Sequence, residues 1–150
     1  LVARPDDPER AMLGVTLERR PAYDFPVDVA IDSGTVGGPS AGLAFALAIL
    51  DRLTPGLPTG GERIAVTGTI ELDGSVGRVG GVRQKTEAAI RAGARVFLVP
   101  GDELAEAVTA ADGRIEVRPV ATLEDALDVL ADLGGDPVPA PDAAAAPTGG

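Results

Sequence analysis

A layered α+β domain, with helices laid against sheet, is what this sequence predicts, and three observations predict it. From Val82 onward helical and strand patterns alternate, as in α/β layering. The stretch before Val82 holds two β-rich runs meeting at Asp73-Gly74, a dipeptide suited to a tight hairpin turn. The 150 residues are 45% apolar, enough for one compact core without disulfides or a structural metal.

Residues 1–10, with Pro5, Asp6, Asp7 and Pro8, read as a linker. Residues 134–150, GGDPVPAPDAAAAPTGG, read as a disordered Pro/Ala/Gly tail, leaving 11–133 as the folded domain. Val27 to Asp32 alternates apolar and mostly polar side chains and predicts a half-buried strand. A glycine loop follows, and Pro39 opens a helix, since its fixed φ suits the first helical position and its missing N–H is not needed there. Ser40 to Leu50 is apolar on all sides, which predicts a central, buried helix. Arg63 to Leu72 is β-rich and pairs across the Asp73-Gly74 turn with Val76 to Val79. After the break at Gly80-Gly81 come a helix over Val82–Ala92 closed by Gly93, and a strand over Arg95–Val99 stopped by Pro100-Gly101. A helix over Asp102–Ala111, a strand over Arg114–Val117 and a helix over Thr122–Leu133, capped by Thr122, complete the domain. No internal repeat is present.

Charge narrows the function. Thirteen cations against 23 carboxylates give a net charge of −10 and a pI near 4.3, which repels phosphate backbones and anionic lipid. Nucleic acid is therefore not expected as a partner. The apolar run Leu43–Leu50 is far too short to span a bilayer, and no leader pattern opens the chain. The chain reads as soluble. It begins at Leu1, which reads as a fragment with its address upstream. With no His and no Cys, and no clustered carboxylates, neither a metal nor any cofactor is expected.

The same two absences remove Ser-His-Asp and Cys-His catalysis and leave a hydroxyl activated by an amine. Lys85 is the only lysine, the other twelve cations all being arginine. Arginine stays protonated, whereas a desolvated lysine can be neutral near pH 7 and serve as a base. Lys85 falls in the first turns of its helix, where the positive end of the macrodipole disfavours an ammonium. Ser40 follows Gly37-Gly38-Pro39 at a helix start, where a backbone can approach and the N–H groups of Gly37, Gly38, Ser40 and Ala41 are placed for an oxyanion. Helix capping explains Ser40 better on this stretch alone, and a solvated surface position is the usual place of a lysine. Thr67 offers a hydroxyl that would hold the amine in line with Ser40, or is simply a β-branched strand residue. Glu103, Glu106, Glu124, Asp125 and Asp128 read as solvated helix faces.

Val27 to Pro100 resembles the proteolytic domain of the Lon family of serine proteases. Pro39-Ser40-Ala41-Gly42 matches its nucleophile motif, Gly80-Gly81-Val82-Arg83-Gln84-Lys85 its lysine segment, and Thr67-Gly68 its threonine. The resemblance implies the Lon proteolytic-domain fold, similar to domain 2 of ribosomal protein S5. It also implies an endopeptidase with a Ser40–Lys85 dyad, Thr67 hydrogen-bonded to the lysine, and protein or peptide substrates. Val36-Gly37-Gly38-Pro39-Ser40 is more similar to the bacterial PDZ-containing, ATP-independent Lon-like proteases, since ATP-dependent Lon usually has Asp where Gly37 stands. That likeness implies an upstream PDZ domain and transmembrane segment, a protease facing outside the cytoplasm, and a homo-oligomer.

Two other readings compete. A glycine loop opening a helix also suits a phosphate, as in small-molecule kinases, but Gln84 stands where a P-loop needs Gly and no Asp-based Mg²⁺ site accompanies it. A non-catalytic or latent Lon-like scaffold has no reason to keep Ser40, Lys85 and Thr67 together.

Overall fold

The computed structural model describes residues 2–3, 11–12, 29–32, 34 and 38–138. The chain divides into two units, Leu1–Ala30 and Ile31–Gly150. In the first, strands β1 (Val2–Ala3) and β2 (Ala11–Met12) pair antiparallel, Val2 opposite Met12. Residues 4–10 of the expected linker, Val27 and Asp28, Gly37, and residues 139–150 of the expected tail lie outside the described residues. Val29 to Asp32, the described part of the strand expected over Val27–Asp32, carry no regular secondary structure and are exposed.

The second unit opens with a 3-10 turn, Pro39–Ala41, that runs into α1 (Gly42–Leu53). Pro39 initiates the turn as expected, and the helix continues three residues past Leu50. It ends where the N–H and hydroxyl of Thr54 both donate to the Leu50 carbonyl, at 2.9 and 2.6 Å, just before Pro55. Among the residues of α1 only Leu43 is fully enclosed against the described residues, the others being half-buried or exposed, so the expectation of burial on all sides is not met there.

The β-rich run splits at Thr67-Gly68 into β3 (Ile64–Val66) and β4 (Thr69–Ile70), and β4 pairs antiparallel with β5 (Val76–Gly77). The turn between them is built by Asp73, whose Oδ1 accepts from the Ser75 N–H (2.9 Å) and hydroxyl (2.6 Å), with Gly74 at a φ of 83°. These bonds hold the Asp73 carboxyl below its ordinary pKa. Next come α2 (Val82–Arg91), β6 (Val96–Pro100), a 3-10 turn (Gly101–Glu103), α3 (Leu104–Ala111), β7 (Glu116–Val120) and α4 (Leu123–Asp132). Thr122 caps α4 in a reciprocal box with Asp125, each bond at 3.0 Å.

β3, β6 and β7 form a parallel sheet with β6 in the middle. Every residue of β6 is buried, and alternation sends its side chains into two cores. Phe97 and Val99 meet Val82 and Ala89 of α2 and Ala107 and Ala111 of α3. Val96 and Leu98 meet Leu43 of α1 and Ala126 of α4. The strand expected over Arg114–Val117 is displaced to Glu116–Val120 and includes an exposed Pro119. That is permitted because, among the described residues, β7 pairs only with β6, and a strand edge needs no N–H donor.

The hairpin is fixed at its turn end. The Val76 N–H donates to the Ala121 carbonyl and the Leu123 N–H to the Gly74 carbonyl, both at 2.8 Å. After α4 the chain is tied to the 57–60 loop: Asp136 donates its N–H to Leu57 O (3.0 Å), and Asp136 Oδ2 accepts from the Leu57 N–H (2.8 Å).

Candidate active site

Ser40 lies inside the 3-10 turn, one residue after Pro39, and is partly exposed. Its hydroxyl is not the cap of either helical segment. The residue preceding the turn is Gly38 (φ 84°), the residue preceding α1 is Ala41, and neither start carries a side-chain cap bond. The first N–H groups of such a turn have no acceptor within it and stand as potential donors to an anion.

Behind Ser40 stands the end of β3. Thr67 extends the ladder by one residue, its N–H donating to Leu98 O at 3.0 Å, and is only 4% exposed. Its hydroxyl donates to the Ser40 carbonyl at 3.1 Å, and the Gly68 N–H donates to that same carbonyl at 3.0 Å. The Gly68 carbonyl in turn accepts from the Leu43 N–H at 3.1 Å. Three hydrogen bonds thus fasten the start of α1 to the β3–β4 connection. Two glycines allow the approach: a Cβ on Gly42 would lie 3.1 Å from Ile70, and one on Gly68 2.7 Å from Val76 Cγ1.

Lys85 lies in the second turn of α2, its N–H bonded to Gly81 O at 3.1 Å. Gly81 starts the helix in the left-handed region at φ 69°, which glycine adopts without strain. The buried stripe of α2 is Val82, Thr86 and Ala89, and Lys85 flanks it, partly enclosed. Removal from water lowers the pKa of the Lys85 amine below the ordinary 10.5 and is the sole cause of that shift. Ala65 of β3 packs in the core that α2 lines, and Thr67, two residues on, falls by alternation on that same face. The structure therefore joins Ser40 to Thr67 directly. Among the described residues Lys85 is hydrogen-bonded to neither.

Gly38 and Ala41 flank Ser40 as expected, and Gly37 lies outside the described residues. A cleft of about 290 Å³ runs along α1, lined by Leu47, Asp51, Ile64 and Leu130 among others, and none of Ser40, Thr67 and Lys85 borders it. Its apolar lining fits no acyl-transfer chemistry. One expectation is overturned nearby. Glu103, taken for a solvated helix residue, is 4% exposed, and its Oε1 accepts from Arg78 Nε at 3.0 Å. Residue type alone hides this, because a carboxylate in the turn after Pro100-Gly101 reads as polar surface.

A helix-start serine fastened to a buried threonine at the C-terminal end of a parallel strand, within an α+β domain that carries one partly buried lysine, is the arrangement set beside known proteins. Residues 14–132 match the family model of the Lon protease (S16) C-terminal proteolytic domain, and the chain belongs to that family. It is 38% identical over 101 residues to an archaeal Lon protease of Archaeoglobus fulgidus, covering 66% of this chain and 16% of that protein. It is 33% identical over 126 residues to a Lon protease of Trichlorobacter lovleyi, covering 81% and 15%. With a Lon protease of Chloroflexus aggregans it shares 31% identity over 147 residues, covering 88% and 17%. The chain spans less than a fifth of the length of these curated relatives. Among the described residues no helix is long and apolar enough to cross a membrane.

Proposed function

We propose that this domain is an ATP-independent serine endopeptidase acting on protein substrates, with Ser40 as nucleophile, Lys85 as general base and Thr67 as the residue that orients the amine. The observation that carries the reading is the Ser40–Thr67 contact at a helix start where the serine hydroxyl is not used for capping. Thr67 has one hydroxyl proton, and it is given to the Ser40 carbonyl. Towards Lys85 the threonine oxygen can then only accept. A neutral amine donating one N–H to that oxygen keeps its single lone pair for the Ser40 proton, the polarity that proton abstraction requires. Ser40 Oγ attacks the scissile carbonyl as Lys85 takes its proton. The resulting ammonium returns a proton to the leaving amine, and the N–H groups of Gly37, Gly38, Ser40 and Ala41 stabilise the oxyanion.

ATP independence rests on Gly37 standing where ATP-dependent relatives usually carry Asp. The same likeness supports a full-length protein with an upstream PDZ domain and membrane segment, the protease outside the cytoplasm, and assembly into a homo-oligomer.

A serine-directed phosphonylating probe tests the nucleophile. The chain has three serines, Ser33, Ser40 and Ser75. Peptide mapping is expected to place the adduct on Ser40, and an unstructured protein substrate is expected to be degraded without nucleotide. An adduct confined to Ser33 or Ser75, or degradation that requires ATP, overturns the corresponding part of the reading. Thr67→Val is expected to lower kcat by about 10²-fold through misplacement of the amine, with Thr67→Ser retaining most of it. A Thr67→Val enzyme with native kcat removes the orienting role.

A further inference from the structure

Between the end of β5 and the start of α2 lie four residues, Arg78, Val79, Gly80 and Gly81, two of them without a side chain. A connection of this composition does little to set its own path. Yet it decides where α2 begins, and the Lys85 N–H is bonded to its last carbonyl, that of Gly81. Two anchors hold it. Val79 packs against the core formed by Val82, Phe97 and Ala107. Arg78 Nε donates to Glu103 Oε1 at 3.0 Å and lies 3.8 Å from Asp102 Oδ2. Glu103 sits in the turn that joins β6 to α3.

This pair is unequal. The Arg78 side chain is 75% exposed, whereas that of Glu103 is 5% exposed, and Glu103 Oε2 has no hydrogen-bond partner among the described residues. An enclosed carboxylate with one unpartnered oxygen is a costly way to stabilise a fold, because the anion gives up its hydration and an apolar side chain would fill the place at less cost. What such a pair supplies is a fixed arrangement of the segments it joins.

Building on the dyad reading above, we infer that Arg78 and Glu103 are positioning residues for Lys85: their bond fixes the 78–81 connection against the β6–α3 turn and so sets where the catalytic amine stands. The pair acts through backbone placement. The shift at Lys85 has removal from water as its sole cause, and none of Arg78, Arg83, Glu87, Asp102 or Glu103 moves it through charge.

The test uses the 150-residue chain and needs no substrate for its first readout. Lys85 is the only lysine, so pH-dependent competitive acetylation with acetic anhydride, followed by mass spectrometry, reports its ionisation at a single site. In Arg78→Ala the labelling midpoint is expected to rise towards 10.5, the ordinary lysine value, as the amine regains water. On an unstructured protein substrate kcat is expected to fall about 10- to 100-fold with KM little changed, the mark of a misplaced group. Arg78→Lys, which restores a cation but not the planar donor, is expected to fall between the two. Glu103→Leu, which removes the acceptor without leaving a buried unpaired group, is expected to raise the midpoint as Arg78→Ala does, and it serves as the second variant should Arg78→Ala not fold. An unchanged midpoint and kcat in either variant, once folded, overturns the inference. Failure of the dyad reading registers separately, as turnover retained in Lys85→Arg whatever Arg78→Ala does.

Discussion

Lys85→Arg is expected to lose peptide hydrolysis as fully as Ser40→Ala, a fall in kcat/KM of about 10²- to 10⁴-fold from the base alone. The substitution keeps the charge and much of the length of the side chain. What it removes is the ability to be neutral, since a guanidinium holds its proton under all working conditions. A role for Lys85 as a fixed cation would survive the change, so the variant separates the two chemistries. The pH dependence follows from the direction of the Lys85 shift. Burial depresses its pKa, so the basic form appears as pH rises through a value below 10.5, and kcat/KM is expected to climb over that interval in the wild type. For stability the sign is the same. The unfolded chain binds the Lys85 proton more tightly than the folded one, so the lysine weakens the fold below its folded pKa, and that penalty fades as pH rises to 10.5. Urea denaturation of wild type and Lys85→Met across this interval checks it. Near-native hydrolysis of an unstructured protein by Lys85→Arg would end the general-base assignment.

The second large effect is expected from a residue with no side chain. In Gly68→Ala the new methyl would stand 2.7 Å from Val76 Cγ1 with the backbone at φ 156°, so either the hairpin or the β3–β4 connection must yield. Overpacking of this kind costs about 1–3 kcal/mol, readable as a lower urea midpoint. The displacement falls on the one connection that bonds both the Ser40 carbonyl and the Leu43 N–H. Activity is therefore expected to drop by about 10²-fold even where the protein remains folded, because catalytic placement is sensitive to shifts of an ångström. A variant that is destabilised but fully active per folded molecule would show that Gly68 supports the fold without setting the site.

The second half of the domain was legible because its punctuation is local. Gly81 and Gly93 mark helix boundaries through their own backbone preferences and Thr122 through its side-chain oxygen, and all three do so here. Asp73-Gly74 likewise dictates its turn with atoms within two residues. What escaped depends on partners distant in sequence. The run from Arg63 to Leu72 reads as one strand, yet it serves a parallel sheet and then a hairpin, and only the packing of Gly68 on Val76 explains the break. Pro119 argues against a strand until β7 is known to lie at an edge. At the candidate site, the residue types announced Ser40, Thr67 and Lys85, and the Thr67 bond shows which way one hydroxyl points. Glu103 gave no signal, because nothing near it in sequence foretells Arg78 arriving from 25 residues away.

The two backbone bonds that tie the hairpin turn to the approach of α4 have a mechanical meaning for the start of α1. Ile70, which pairs with Val76, crowds Gly42 on one side, while Gly74 and Val76 bond Leu123 and Ala121 on the other. The hairpin is thus less a flap than a clasp, held between the start of α1 and the approach to α4 at one rung. It cannot move off Gly42 without disturbing the bonds at the capped first turn of α4, so the start of α1, two residues from Ser40, inherits the stiffness of a helix lying beyond the turn.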